Sequence, residues 1–77
     1  MQTLITSNKI PKGKEAIIRE IKGDIYFISR LRELGFGESM RISKFSDDAH
    51  RTIILNVRGK KMYLSENAAE CIWVEVL

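Results

Sequence analysis

Ser29-Arg30-Leu31-Arg32-Glu33-Leu34-Gly35-Phe36 is the stretch that decides how this chain folds. It reads as the last turns of an amphipathic helix stopped by a glycine, which bears no Cβ penalty in the left-handed conformation that a helix end requires. Reading back from it, Phe27, Leu31 and Leu34 fall at i, i+4 and i+7 with Ile28 beside them. Ser29, Arg30, Arg32 and Glu33 take the other side. Asp24 is a natural N-cap, because its carboxylate can accept from free backbone N–H groups and suits the positive end of the helix dipole. The spacing predicts a helix over Ile25–Leu34.

Reading forward, the chain turns to β patterning. Gly37-Glu38 makes a turn, Ser39–Phe45 a strand, and Ser46-Asp47-Asp48-Ala49-His50 a polar loop. Thr52–Val57 alternates most clearly, with Ile53, Leu55 and Val57 inward. Arg58-Gly59 is a tight hairpin turn from which Lys60–Leu64 returns. Ser65 can cap a single helical turn through Asn67, Ala68 and Ala69, and Ile72–Val76 closes the fold. Before the helix, Lys14–Ile21 is a strand with Ala16, Ile18 and Glu20 on one face and Ile17, Arg19 and Ile21 on the other. Residues 1–13 form a lead-in that docks Ile5 and Ile10. The class is mainly β: a small SH3-like barrel of about five strands, with one short helix and a helical turn before the last strand. Its expected core is Ile18, Phe27, Ile28, Leu31, Leu34, Ile42, Ile53, Leu55, Val57, Leu64, Ile72 and Val74.

A length of 77 residues allows one domain over 1–77 and leaves no spare chain for a large catalytic cleft. A hydrophobic content of 44% argues against disorder. No apolar run approaches the roughly 20 residues needed to cross a bilayer, and Met1–Thr6 lacks the basic start and apolar core of a secretory signal. The chain therefore reads as cytosolic and full-length. Its single cysteine, Cys71, fits a reducing compartment and reads as a small buried hydrophobe.

Enzyme motifs are absent: there is no Walker loop, no GxGxxG and no GxSxG. The carboxylates do not pair in a catalytic pattern, so catalytic and cofactor-binding residues are expected to be none. His50 with Asp47 and Asp48 sketches a metal site, but a loop offers little of the convergent, supported geometry that a transition metal wants. The expectation is no tight metal binding. Met40 and Met62 read as barrel filling, and Trp73 as a cover for the barrel end or an interface anchor. The net charge of +3 is spread, and its one dense cluster is Arg58-Gly59-Lys60-Lys61. That cluster reads as a solvated hairpin tip or as a contact for an anionic partner.

The order of these elements resembles the FeoA family over about residues 5 to 76. The R-L-x-E-L-G helix end is its most specific piece, supplied here by Arg30-Leu31 and Glu33-Leu34-Gly35. Gly13, Ile17–Ile21, Met40, Ile42, Val57, Tyr63-Leu64, Ala68-Ala69, Ile72 and Val74 follow the pattern. One departure is clear: the family's turn after the helix carries a proline–glycine pair, where this chain has Gly37-Glu38-Ser39. The resemblance implies a small cytosolic accessory of ferrous iron uptake that binds the membrane transporter FeoB and catalyses nothing. A related domain forms the C-terminal part of some metal-dependent repressors, whose DNA-binding helix-turn-helix this chain lacks. The expected partner-binding residues are Tyr26, Arg30, Gly35 and Phe36, on the outer helix face and the turn after it. The alternative is a small basic β-barrel that binds nucleic acid.

Overall fold

The expected strands assemble into a single antiparallel sheet of SH3-like type. A computed structural model describes residues 3–47 and 51–77. The elements are β1 (Ile5–Thr6), β2 (Glu15–Ile21), α1 (Ile25–Glu33), β3 (Arg41–Asp47), β4 (Thr52–Val57), β5 (Lys60–Ser65), α2 (Glu66–Ala69) and β6 (Ile72–Val76). The sheet order is β1-β6-β2-β3-β4-β5. The sixth strand, beyond the five expected, is the two-residue β1, which pairs Ile5 with Val74 and Thr6 with Trp73.

The lead-in is pinned by buried polar contacts. Ser7 is fully buried and its hydroxyl donates to the Ala69 carbonyl at 2.6 Å. The Lys44 ammonium, also buried, donates to the Asn8 carbonyl at 2.7 Å, and the Gly13 N–H donates to the Lys44 carbonyl at 3.1 Å. A charge taken out of water this way needs such partners. Ile10 is thereby fixed in the core, with Ile5 half-buried against it.

Two expectations for inward-facing residues are corrected. In β2, Ile21 is buried and Glu20 exposed, because a bulge between Ile18 and Glu20 shifts the pairing with β6 and reverses the alternation after it. In α1, Phe27 and Leu34 were expected in the core but are 41% and 46% exposed. The helix rests on the sheet along a narrower line, with Leu31 buried and Ile28 half-buried. The inward face is therefore turned toward Ile28, and the Phe27–Leu34 flank is left in water.

Both helix ends follow the sequence. The Asp24 carboxylate accepts from the Tyr26 N–H at 2.7 Å. At the other end Gly35 takes a φ of +103°, the Gly35 N–H donates to the Arg32 carbonyl at 3.1 Å and the Phe36 N–H to the Leu31 carbonyl at 3.0 Å. This double bond pattern is the Schellman cap, in which the residue after the glycine packs against the helix. Both Leu31 and Phe36 sit in the core cluster.

The departure in the turn after the helix has a structural cost. The Met40 N–H donates to the Gly37 carbonyl at 3.3 Å, so Glu38 and Ser39 are the central residues of a β-turn. Ser39 has a φ of +68°, whereas Glu38 has no positive φ, which makes the turn type II. That type favours proline and then glycine at these two places. Ser39 is exposed. We expect Ser39→Gly to raise stability by about 0.5–1 kcal/mol and the melting temperature by roughly 2–8 °C, as read by thermal unfolding. A fall in the melting temperature would contradict this account of the turn.

Candidate functional site

The outward face of α1 is built by the way the helix sits. With Leu31 turned into the core, Tyr26, Arg30 and Leu34 follow one another at i, i+4 and i+8 on the exposed side, and Phe27 lies beside them, three residues before Arg30. Tyr26 is 81% exposed. Ile25, at the helix start, is also exposed. Four large apolar side chains in water on a nine-residue helix and its C-cap is more than scattered surface hydrophobes amount to.

The surrounding charges are sorted by their partners. Arg32 reaches across the helix end to Glu38, with Nη2 at 2.9 Å from Oε1. The hydrogen bond from Arg32, with its charge, holds the Glu38 carboxyl below its ordinary range. This pair ties the end of α1 to the type II turn. Arg30 belongs to none of the ion pairs among the described residues, so its guanidinium is available to an acceptor from outside.

The four expected contact residues therefore divide. Tyr26 and Arg30 stand together on the exposed stripe. Gly35 is the left-handed cap that fixes the end of that stripe. Phe36 is 2% exposed and offers no side-chain surface to a partner, which corrects its place among the contact residues. A large apolar residue directly after a helix-ending glycine was the signal for this, since that position packs inward in a Schellman cap. Phe27 and Leu34, expected inside, belong to the stripe instead.

Elsewhere the chemistry is sparse. Among the described residues no group of three His, Cys, Asp or Glu could hold a metal ion. Asp48 and His50, with the side chain of Asp47, lie outside the described residues. No helix among them is long and apolar enough to cross a membrane. Trp73 is half-buried in β6, with the Lys22 ammonium 5.6 Å from its ring centroid.

Cys71 is buried, and its thiol donates to the Asn67 carbonyl at 3.5 Å. Gly23 passes so close that a Cβ there would stand 2.9 Å from the sulfur. Burial first, then the nearby charges of Glu70 and Asp24, push the thiol above its ordinary range. The folded thiol holds its proton more tightly than the unfolded one. Its contribution to stability is thus complete below the ordinary cysteine range and is lost as pH rises through the raised value. We expect alkylation of Cys71 by iodoacetamide slightly above neutral pH to be much slower in the folded protein than in denaturant. Equal rates would mean the thiol is open to solvent.

Comparison with known proteins places this architecture. No curated protein sequence matches the chain. Among solved structures, a crystal structure of an iron uptake regulatory protein (FeoA) superimposes with a TM-score of 0.87 at 19% identity, over 97% of this chain and 100% of that one. The NMR structure of an FeoA-like protein from Clostridium acetobutylicum gives 0.89 at 22% identity, over 100% and 91% of the two chains. A manganese-dependent transcriptional repressor in complex with manganese gives 0.90 at 18% identity, but this chain spans only 38% of its length. At these identities the likeness establishes the fold. The FeoA domain model matches residues 8–76, nearly the whole chain, and so the chain belongs to the FeoA family, which is associated with ferrous iron transport.

Proposed function

We propose that this protein is a cytoplasmic accessory of ferrous iron uptake that binds an FeoB-type membrane transporter through protein–protein contacts and has no catalytic role of its own. The observation that carries this reading is the exposed Tyr26–Arg30–Leu34 stripe with Phe27 at its side, on a helix capped at both ends. Aromatic and arginine side chains are favoured where binding energy concentrates. An amphipathic helix presenting anchors at i, i+4 and i+8 suits a groove on a partner. Family membership supplies the biological setting. The family match does not favour the nucleic-acid reading. Co-purification of the transporter with the tagged protein from a membrane extract tests the reading. Retention of FeoB by the native protein is the expected result, and its absence under mild detergent would count against it.

A further inference from the structure

The β4–β5 hairpin carries a second set of features that the helix does not explain. β5 ends the strand order, so among the described residues one of its edges is unpaired. Arg58 and Gly59 both have positive φ, the signature of a two-residue type I′ turn, and Val57 pairs with Lys60 across it. In such a hairpin Lys60, Met62 and Leu64 bond to β4, and the N–H and C=O groups of Lys61 and Tyr63 point to the open edge.

The side chains of Lys61 and Tyr63 stand on the sheet face away from the core. Tyr63 is 64% exposed and sits directly across from Ile54, which is buried yet lies outside the core cluster. A bulge between Lys44 and Ser46 sets Phe45 near the same face, where the Lys61 ammonium lies 4.0 Å from its ring centroid. Arg58, Lys60 and Lys61 take part in none of the ion pairs among the described residues.

We propose that the open edge of β5 takes up an extended, acidic peptide segment of a partner as an added strand. The outward backbone groups of Lys61 and Tyr63 supply the main-chain hydrogen bonds. Tyr63, exposed on the outer face of β5, gives the added strand's alternate side chains an aromatic surface. Arg58, Lys60 and Lys61, which form no ion pair among the described residues, select carboxylates. They also disfavour the other ready occupant, a second copy of β5, which would bring Lys60 and Lys61 against themselves. The site is separate from α1 and does not depend on what binds there.

The probe is a blocked peptide of about eight residues alternating glutamate with valine, compared with its lysine-for-glutamate counterpart and with single-stranded oligothymidine. The glutamate peptide is expected to bind more weakly as salt rises and to slow amide exchange at Lys61 and Tyr63, the groups that strand addition would cover. The lysine peptide is expected not to bind. Lys60→Glu with Lys61→Glu should weaken binding by about tenfold or more. Lys61→Pro removes an edge N–H that β4 does not use, a place where proline is tolerated, so it should weaken binding while the protein still melts cooperatively. The proposal is overturned if the glutamate peptide does not bind, if both variants bind it as the native protein does, if protection appears only on α1, or if oligothymidine binds in its place.

Discussion

Replacing Leu31 by alanine is expected to destabilise the fold by about 2–5 kcal/mol. Leu31 is the residue through which α1 enters the core, and it is 2% exposed. Its removal costs the transfer of a buried side chain and leaves a hole that a sheet and a capped helix cannot fully close. The loss also reaches Phe36, which the helix cap sets in the same cluster. A domain of this length has a total stability of roughly 4–12 kcal/mol, so a large share of the molecules could unfold at ambient temperature. Phe27→Ala is the contrasting case. Phe27 sits on the exposed flank, so its loss should cost about 1 kcal/mol or less. Urea unfolding of the two variants separates them. Equal midpoints would mean that the helix packs by the Phe27–Leu34 face after all.

The second large effect is on binding. Tyr26→Ala and Arg30→Glu are each expected to weaken association with the FeoB-type transporter by about tenfold or more. Tyr26 is almost wholly in water, so its ring contributes little to folding and is free to be covered by a partner. Reversing Arg30 breaks no ion pair among the described residues, and the cost to the fold is a cation lost from the last helical turn and an anion put in its place, about 0.3–1 kcal/mol each. Both variants should therefore stay folded, so that the loss of binding reports the contact itself. Titration of purified transporter with each variant, beside a melting curve, reads the two quantities separately. Variants that bind like the native protein would move the contact surface off α1.

Much of this was legible because local chemistry and tertiary structure agree. Asp24 and Gly35 mark the ends of α1 by capping, and those caps form as the sequence implies. Thr52–Val57, the Arg58-Gly59 turn, the Ser65 cap and Ile72–Val76 fall where alternation and turn residues put them. The misreadings have a common physical source. Periodicity says that a helix has an apolar side, but not which part of that side meets the sheet. In α1 the contact line runs through Ile28 and Leu31, so Phe27 and Leu34 remain outside. The β2 bulge is set by pairing with β6, a strand some 50 residues away in sequence. Ile54 and Lys44 are buried by what their neighbours in space do, which no local pattern records. The inward turn of Phe36 was recoverable from sequence, since a Schellman cap places an apolar residue there. At the site, packing reverses what the local pattern implies: Phe36 is buried, while Phe27 and Leu34 lie on the exposed stripe.

Under the proposed function, the outer face of α1 is the surface that an FeoB-type transporter would cover. Amide exchange of the isotopically labelled protein, measured residue by residue with and without the cytosolic part of an FeoB-type transporter, tests it most directly. The account predicts that new protection and shifted resonances concentrate on residues 25–34 and the Glu38-Ser39 turn that Arg32 ties to them. Changes confined to the β4–β5 hairpin, with residues 25–34 untouched by saturating transporter, would contradict it.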